Sequence, residues 1–220
     1  MLANKTIVVT GANGALGRAV CEVAEQQGAT TIRLDLVFAD KAANCHEVDL
    51  TDAAAVQALL AGLGGFDAVL NIAGGFGMGV AAFDTDDEQW DRMFALNVTT
   101  LRNMVKAAVP QLQQRGGGSI VNIGAYGARE GQGDMSAYCA SKSVVMRLTE
   151  SLAEELRGQG INVNAVLPTV IDTAVNREAM PDADPGQWVK PTDLANVICF
   201  LASDAARAVH GALVPVRGLS

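Results

Sequence analysis

Tyr138 and Lys142 stand four residues apart in Ser136-Ala-Tyr-Cys-Ala-Ser-Lys142. On a helix that spacing projects a phenol and an ammonium from one face, roughly 6 Å apart at Cβ. A positive charge beside a phenol favours the phenolate and is expected to pull the tyrosine pKa down from its ordinary value of about 10. A phenol so tuned can give or take a proton near neutrality, which is general acid–base chemistry. Taken alone, the pair reads first as a solvated helix face and only second as a site. What gives it meaning is the opening of the chain.

There Lys5 to Thr10 (KTIVVT) is a β-branched run, read as a buried strand. Gly11-Ala-Asn13-Gly14-Ala15-Leu16-Gly17 follows at once, and Arg18 to Gln27 reads as a helix. Strand, glycine turn, helix is the setting in which a glycine pattern becomes a dinucleotide site. Glycines permit the tight turn and close backbone approach, and the helix N-terminus offers N–H groups to a pyrophosphate. The second strand, Thr30 to Leu36, carries Asp35 eighteen residues past Gly17. A carboxylate there can accept from both adenosine ribose hydroxyls and repels a 2′-phosphate, favouring NAD(H) over NADP(H). Arg33 points to the same strand face and leaves NADP(H) open.

The remaining elements position these groups. Cys45 to Leu50 reads as a third strand bearing Asp49, and Ala53 to Leu63 as a helix. Asp67 to Ile72 is a fourth strand, opening into Asn71-Ile-Ala73-Gly74-Gly75-Phe76-Gly77, a loop of the kind that holds ligands in doubly wound sheets. Asp87 to Leu112 carries two helical patterns with Asn97 between them. Ser119 to Ile123 is a fifth strand, Ser136 to Arg157 the helix of the Tyr–Lys pair, and Ile161 to Leu167 a sixth strand. Pro168 to Trp188 lacks clear periodicity and reads as a substrate-side flap. Thr192 to Ser203 is a final helix with Thr192 as its N-cap, and Ala212 to Val216 a last strand whose Pro215 fits an edge. Alternating strands and helices imply one α/β, doubly wound (Rossmann-type) domain over residues 1–220, with a seven-stranded, mostly parallel sheet flanked by helices.

Half of the 220 residues are apolar and the formal charge is −8. That balance argues against a nucleic-acid partner and against an anionic membrane surface. No apolar run approaches the roughly eighteen residues of a spanning helix, and Met1 to Lys5 leaves no room for a signal peptide. The four cysteines are scattered without metal-ligand spacing, as in a reduced, cytoplasmic protein.

Together these motifs resemble the short-chain dehydrogenase/reductase family over nearly the whole chain: Thr10-Gly11 with the glycine turn, Asp49, Asn71-x-Ala73-Gly74, Asn97, Tyr138-x-x-x-Lys142, Pro168 and Thr173. The resemblance implies hydride chemistry with NAD(H), possibly NADP(H), held by Gly11, Asn13, Gly14, Ala15, Leu16, Gly17, Asp35, Asp49, Leu50, Asn71, Ala73, Gly74, Tyr138, Lys142, Pro168, Val170 and Thr173. It implies Tyr138 as proton donor, with Lys142 lowering its pKa and Asn97 keeping a water in a proton relay. It also implies a homodimer or homotetramer built on the helices at Leu96–Leu112 and Val144–Leu156, acting on a small molecule.

Two departures refine this. The position thirteen residues before the tyrosine, a catalytic serine in most members, is Ala125, and the glycine turn has Gly14-Ala15 where most members carry the glycine one place later. Both look like the dihydropteridine-reductase branch. So do Ala73-Gly-Gly75-Phe76, Leu167-Pro-Thr-Val-Ile-Asp-Thr173, Asn176-Arg177, Met180-Pro-Asp-Ala-Asp184 and Trp188. The implied substrate is a quinonoid dihydropterin or related compound, with Ala125, Tyr126, Phe76 and Trp188 at its pocket. Two alternatives stand beside it. One is an ordinary alcohol or carbonyl substrate with Tyr126 or a water as substitute donor. The other, motivated by Ala125, is a non-catalytic nucleotide-binding redox sensor, against which the intact Tyr138–Lys142 pair argues.

Overall fold

The protein is described by a computed structural model covering residues 1–39 and 42–220. The Val/Ile-rich run Thr6–Thr10 forms β1, and its last four residues are buried, as a strand covered on both faces requires. β2 (Thr30–Asp35), β3 (Cys45–Glu47), β4 (Ala68–Asn71), β5 (Gly118–Ile123), β6 (Ile161–Pro168) and β7 (Leu213–Val216) complete the sheet, in the order β3-β2-β1-β4-β5-β6-β7. Every neighbouring pair is parallel, so the sheet is wholly rather than mostly parallel. Pro215 lies on β7, an edge strand, where a missing N–H costs no ladder bond.

Helices cover both faces. α1 (Ala15–Gln26) and α7 (Pro191–Leu201) pack on one side, burying Val20, Val23, Ile198 and Leu201 against Ile7, Val9 and Leu70. On the other side α2 (Ala53–Gly62), α4 (Thr100–Gln114) and α5 (Ser136–Leu156) bury Leu60, Met104, Leu112 and Leu156 against Val8, Val69 and Ile120. β1 pairs with β2 on one edge and β4 on the other. Successive crossovers therefore leave β1 in opposite directions, and the loops after β1 and β4 diverge. A crevice at such a switch point is where open parallel sheets bind ligands.

Three local features depart from the sequence reading. α7 begins at Pro191, with Lys190 as its N-cap and no side-chain cap, so Thr192 lies inside the first turn; proline suits that position because its missing N–H has no intrahelical acceptor there anyway. The two helical patterns around Asn97, α3 (Asp87–Phe94) and α4, are joined by one π-helical turn, Ala95–Thr99. The extra residue of such a turn re-aims a side chain, and here it includes Asn97. Within the flap, α6 (Ala174–Ala179) is capped by the Thr173 hydroxyl, which accepts from Asn176 N at 3.2 Å. The flap is tied down by Val189 N to Val170 O (2.9 Å), Asp172 N to Val189 O (2.8 Å) and a two-pronged Arg177–Asp172 ion pair at 2.6 and 2.8 Å. Among the described residues no helix is long and apolar enough to cross a membrane.

Candidate active site

The glycine turn is shaped by contacts no side chain could share. A Cβ on Gly17 would lie 2.0 Å from the Gly11 carbonyl oxygen, and one on Gly11, whose φ is +61°, would lie 2.9 Å from Ala73. The turns after β1 and β4 therefore touch backbone to backbone. Gly14 caps α1 without a side chain, and no acid occupies the first turn. The N–H groups of Ala15, Leu16 and Gly17 thus have no intrahelical acceptor and sit at the positive end of the helix dipole. That donor set fits the pyrophosphate of a dinucleotide.

Asp35 closes this turn: its carboxylate accepts from Asn13 N and from Leu36 N, both at 2.8 Å, while Asn13 Nδ2 donates to Val37 O at 2.9 Å. The carboxylate thus stands at the tip of β2 against the glycine turn. Arg33, two residues back, is drawn elsewhere: its guanidinium pairs with Glu25 on α1 at 2.7 Å. Asp49 is exposed and accepts from both N and Oγ1 of Thr51 at 2.8 and 2.7 Å, which holds its pKa below the usual carboxylate value. Leu50 beside it is buried.

Across the crevice, α5 delivers Tyr138 and Lys142. A chain of buried amides braces it: Asn71 Nδ2 donates to Asn122 Oδ1 (2.9 Å), Asn122 Nδ2 to Thr149 Oγ1 (2.9 Å), and Thr149 Oγ1 to Val145 O (2.8 Å). Asn97 makes the second brace. Its Oδ1 accepts from Gly75 N at 2.9 Å, and its Nδ2 donates to Gly75 O at 3.1 Å and Ser141 Oγ at 3.0 Å. Ser141 in turn donates to the Tyr138 carbonyl at 2.8 Å. A Cβ on Gly74 would lie 2.7 Å from Asn97 Oδ1 and 3.2 Å from Lys142 Nζ, so that glycine rests against both. Thr10, Asn71, Asn97 and Lys142 line a cavity of about 10 Å³, the size of one water. Asn71 Oδ1 is buried with no protein partner among the described residues.

The tyrosine–lysine pair differs from the sequence expectation in one respect. Lys142 was expected to lower the pKa of Tyr138. In the fold, burial pushes the phenol above its ordinary value, and burial pushes Lys142 down to about 8. Lys142 Nζ donates to the Ile123 carbonyl at 2.8 Å, and desolvation is the leading cause of the shift at both groups. Tyr138 is therefore held as the protonated phenol.

A pH signature follows. The folded lysine releases its proton near pH 8 and the unfolded one near 10.5. Between those values the unfolded chain binds more protons, so stability is expected to rise as pH climbs from about 8. Above about 10 the raised Tyr138 acts oppositely, because the unfolded chain then loses a proton that the folded one keeps. Urea titrations across pH 7–11 on the wild type and Lys142→Met check this. The rise should be absent in the variant, and identical profiles would refute it.

On the substrate side Ala125 is buried and presents only a methyl group. The Phe76 ring meets Tyr138 edge-on at 4.9 Å and is itself 57% exposed, leaving surface for a flat partner. Trp188 is buried, so its ring packs the flap instead of offering an open stacking face. Tyr126 lies under two guanidiniums: Arg129 at 4.9 Å and Arg217 at 4.6 Å from its ring centroid, the latter with Nη1 3.4 Å from the phenol oxygen. Pro168 ends β6 opposite Val216. Sequence reasoning passed over Ser141, Asn122 and Thr149. Ser141 is three residues from Tyr138 and so on its helix face, a signal that was there to read; the other two meet only across the sheet.

The family model described as enoyl-(acyl carrier protein) reductase matches residues 3–218. The chain is 32% identical to 2-(S)-hydroxypropyl-CoM dehydrogenase 3 of Xanthobacter autotrophicus, over 99% of this chain and 96% of that one. Among solved structures, Thermoplasma acidophilum aldohexose dehydrogenase superposes with a TM-score of 0.90 at 29% identity, covering 99% of this chain and 94% of that one. Carveol dehydrogenase of Mycobacterium avium in complex with NAD superposes with a TM-score of 0.87 at 28% identity, covering 98% and 96%. With its glycine turn, its Tyr138–Lys142 helix and these similarities, the chain belongs to the short-chain dehydrogenase/reductase family of NAD(P)-dependent oxidoreductases.

Proposed function

We propose that the chain is an NADH-preferring reductase of the dihydropteridine-reductase-like branch, delivering hydride to a small conjugated acceptor such as a quinonoid dihydropterin. Ala125 carries the reading. Carbonyl reduction builds an oxyanion that a positioned donor stabilises, and a buried methyl group cannot donate. Reduction of a conjugated ring that takes its proton on nitrogen needs no such donor. Phe76, edge-on to Tyr138 and largely exposed, suits a flat substrate.

In this reading the cofactor, when bound, supplies the hydride. The free amides of Ala15 to Gly17 would hold its pyrophosphate and Asp35 its adenosine ribose, and Asn71, Ala73, Gly74, Pro168, Val170 and Thr173 would border its nicotinamide half. Tyr138 Oη holds the proton that the substrate receives, Lys142 orients and replenishes it, and Asn97 pins the Gly74–Gly75 loop against both. The preference for NADH is supported by Asp35 at the β2 tip and by Arg33 being tied to Glu25, out of service for a 2′-phosphate. The protein is further proposed to act in the cytoplasm as a homodimer or homotetramer.

A second reading, an alcohol or carbonyl substrate, is favoured by the relatives, whose names are those of hydroxypropyl, aldohexose and carveol dehydrogenases. Tyr126, whose oxygen faces Arg217, would then be the substitute donor. Oxidation of NADH and NADPH against a freshly generated quinonoid dihydropterin, with simple ketones in parallel, tests the proposal. Turnover with pterin and NADH, and little with ketones, is the expected result. Ketone turnover without pterin turnover would overturn it in favour of the second reading.

A further inference from the structure

Asn103 stands in the first turn of α4, half-buried, although asparagine is a weak helix former. Its amide is fully used as a donor: Nδ2 donates to Leu50 O at 2.9 Å and to Thr51 O at 3.0 Å. One side chain thus grips two consecutive carbonyls of the loop after β3, 53 and 52 positions back along the chain. The packing of α2 on α4 does not require this grip, since Val56 and Leu60 are already buried in one cluster with Met104 and Ala108.

The loop so held bears Asp49 and Leu50. Val48 N donates to Asp35 O at 2.8 Å, which joins the loop to the tip of β2. Within it, Thr51 N and Oγ1 donate to Asp49 Oδ1, and Asp52 N donates to Asp49 O at 3.1 Å. Those bonds shape the loop and tie it to β2; among the described residues only the Asn103 pair fastens it by hydrogen bonds to α4. α4 continues from the π turn that contains Asn97, whose amide pins both N and O of Gly75. One continuous helical stretch therefore holds the loop after β3 and the loop after β4, each by a side-chain amide. In the sheet order β3-β2-β1-β4 these loops stand on either side of the glycine turn. A dinucleotide laid across the crevice spans from one to the other.

We infer that Asn103 is a positioning residue for the cofactor. It sets the Asp49–Thr51 loop against the adenine end of the dinucleotide and, through α4, fixes that loop's distance from the Asn97-held loop at the nicotinamide end. The role rests on reading Asp49 and Leu50 as cofactor contacts, and Asn103 itself touches neither cofactor nor substrate.

The test is calorimetric titration of 5′-AMP and of NADH into wild type, N103L, N103D and N103Q, with urea unfolding of the same samples. Leucine keeps the size and removes both donors, aspartate sets an anion against two carbonyls, and glutamine keeps the donors at a longer reach. Both ligands are expected to bind roughly tenfold more weakly to N103L, the loss of about one hydrogen bond's net worth. N103D should bind them more weakly still, and N103Q should fall between wild type and N103L. In steady-state assays the KM for NADH should rise in step while kcat holds, the mark of lost uniform binding. Undiminished 5′-AMP binding in both N103L and N103D, with or without a fall in urea stability, would overturn the role and leave Asn103 as a helix-to-loop fastening. Because 5′-AMP needs no reducible partner, the titrations stand whatever the substrate proves to be. A wild-type protein that bound neither 5′-AMP nor NADH would overturn the dinucleotide site itself, and the role with it.

Discussion

Tyr138→Phe is expected to abolish turnover, a loss on the order of a thousandfold or more, while leaving NADH affinity nearly unchanged. The substitution removes one oxygen from a ring whose packing is otherwise kept, including the edge-on contact with Phe76 at 4.9 Å. What disappears is the only phenol on α5 and the proton that burial keeps on it. Steady-state rates with the dihydropterin, together with fluorescence titration of NADH, separate the two effects. A fully active variant would mean that the proton comes from Tyr126 or from water, and the mechanism would be wrong. A variant that lost NADH binding as well would assign Tyr138 to cofactor positioning instead.

Gly17→Ala is expected to destroy NADH binding and to lower stability by about 2 kcal/mol or more, the upper part of the range for forced overpacking. The added methyl would stand 2.0 Å from the Gly11 carbonyl oxygen and 2.7 Å from Ala12 Cα, both backbone atoms that cannot rotate away. Relief requires moving the glycine turn off α1, which separates the helix N-terminus from the N–H groups it presents to a pyrophosphate. Gly14→Ala provides the contrast. Its closest contact would be 3.3 Å, and its φ of −71° is open to any residue, so stability near that of wild type is expected. Urea unfolding and NADH titration of the pair check this. Wild-type NADH affinity in Gly17→Ala would show that the close approach is not what binding needs.

The sheet was legible because β1, β4, β5 and β6 are short Val/Ile runs bounded by glycine or polar turns, and because β-rich and helical periods alternate. The π turn at Ala95–Thr99 was not legible, since periodicity cannot distinguish one inserted residue from the join of two helices. Nor was the start of α7: Thr192 is a good cap by residue type, but Pro191 takes the first helical position and moves the boundary. The flap has too few apolar residues at regular spacing for its ordering to be read. It is held by the Val170–Val189 and Asp172–Val189 hydrogen bonds, which depend on tertiary proximity, and by the local Asp172–Arg177 ion pair across five residues.

The candidate site divides along the same line. Residue type and spacing alone determined the glycine turn, the acidic residue at the end of β2 and the Tyr138–Lys142 pair, because each is a local pattern whose geometry follows from one strand or one helix; that Ala125 stands where a donor is missing came from the family resemblance. Tertiary structure decided the rest. Tyr138 and Lys142 are displaced from their ordinary pKa values by burial, and burial is set by everything packed around α5, not by a neighbour four residues away. Arg33 is committed to Glu25 because β2 runs beside α1. Arg217 meets Tyr126 because β5 and β7 both end at the same edge of one parallel sheet. Charge, solvent and contact are properties of the folded neighbourhood, and a chain reveals them only where its neighbours in space are also its neighbours in sequence.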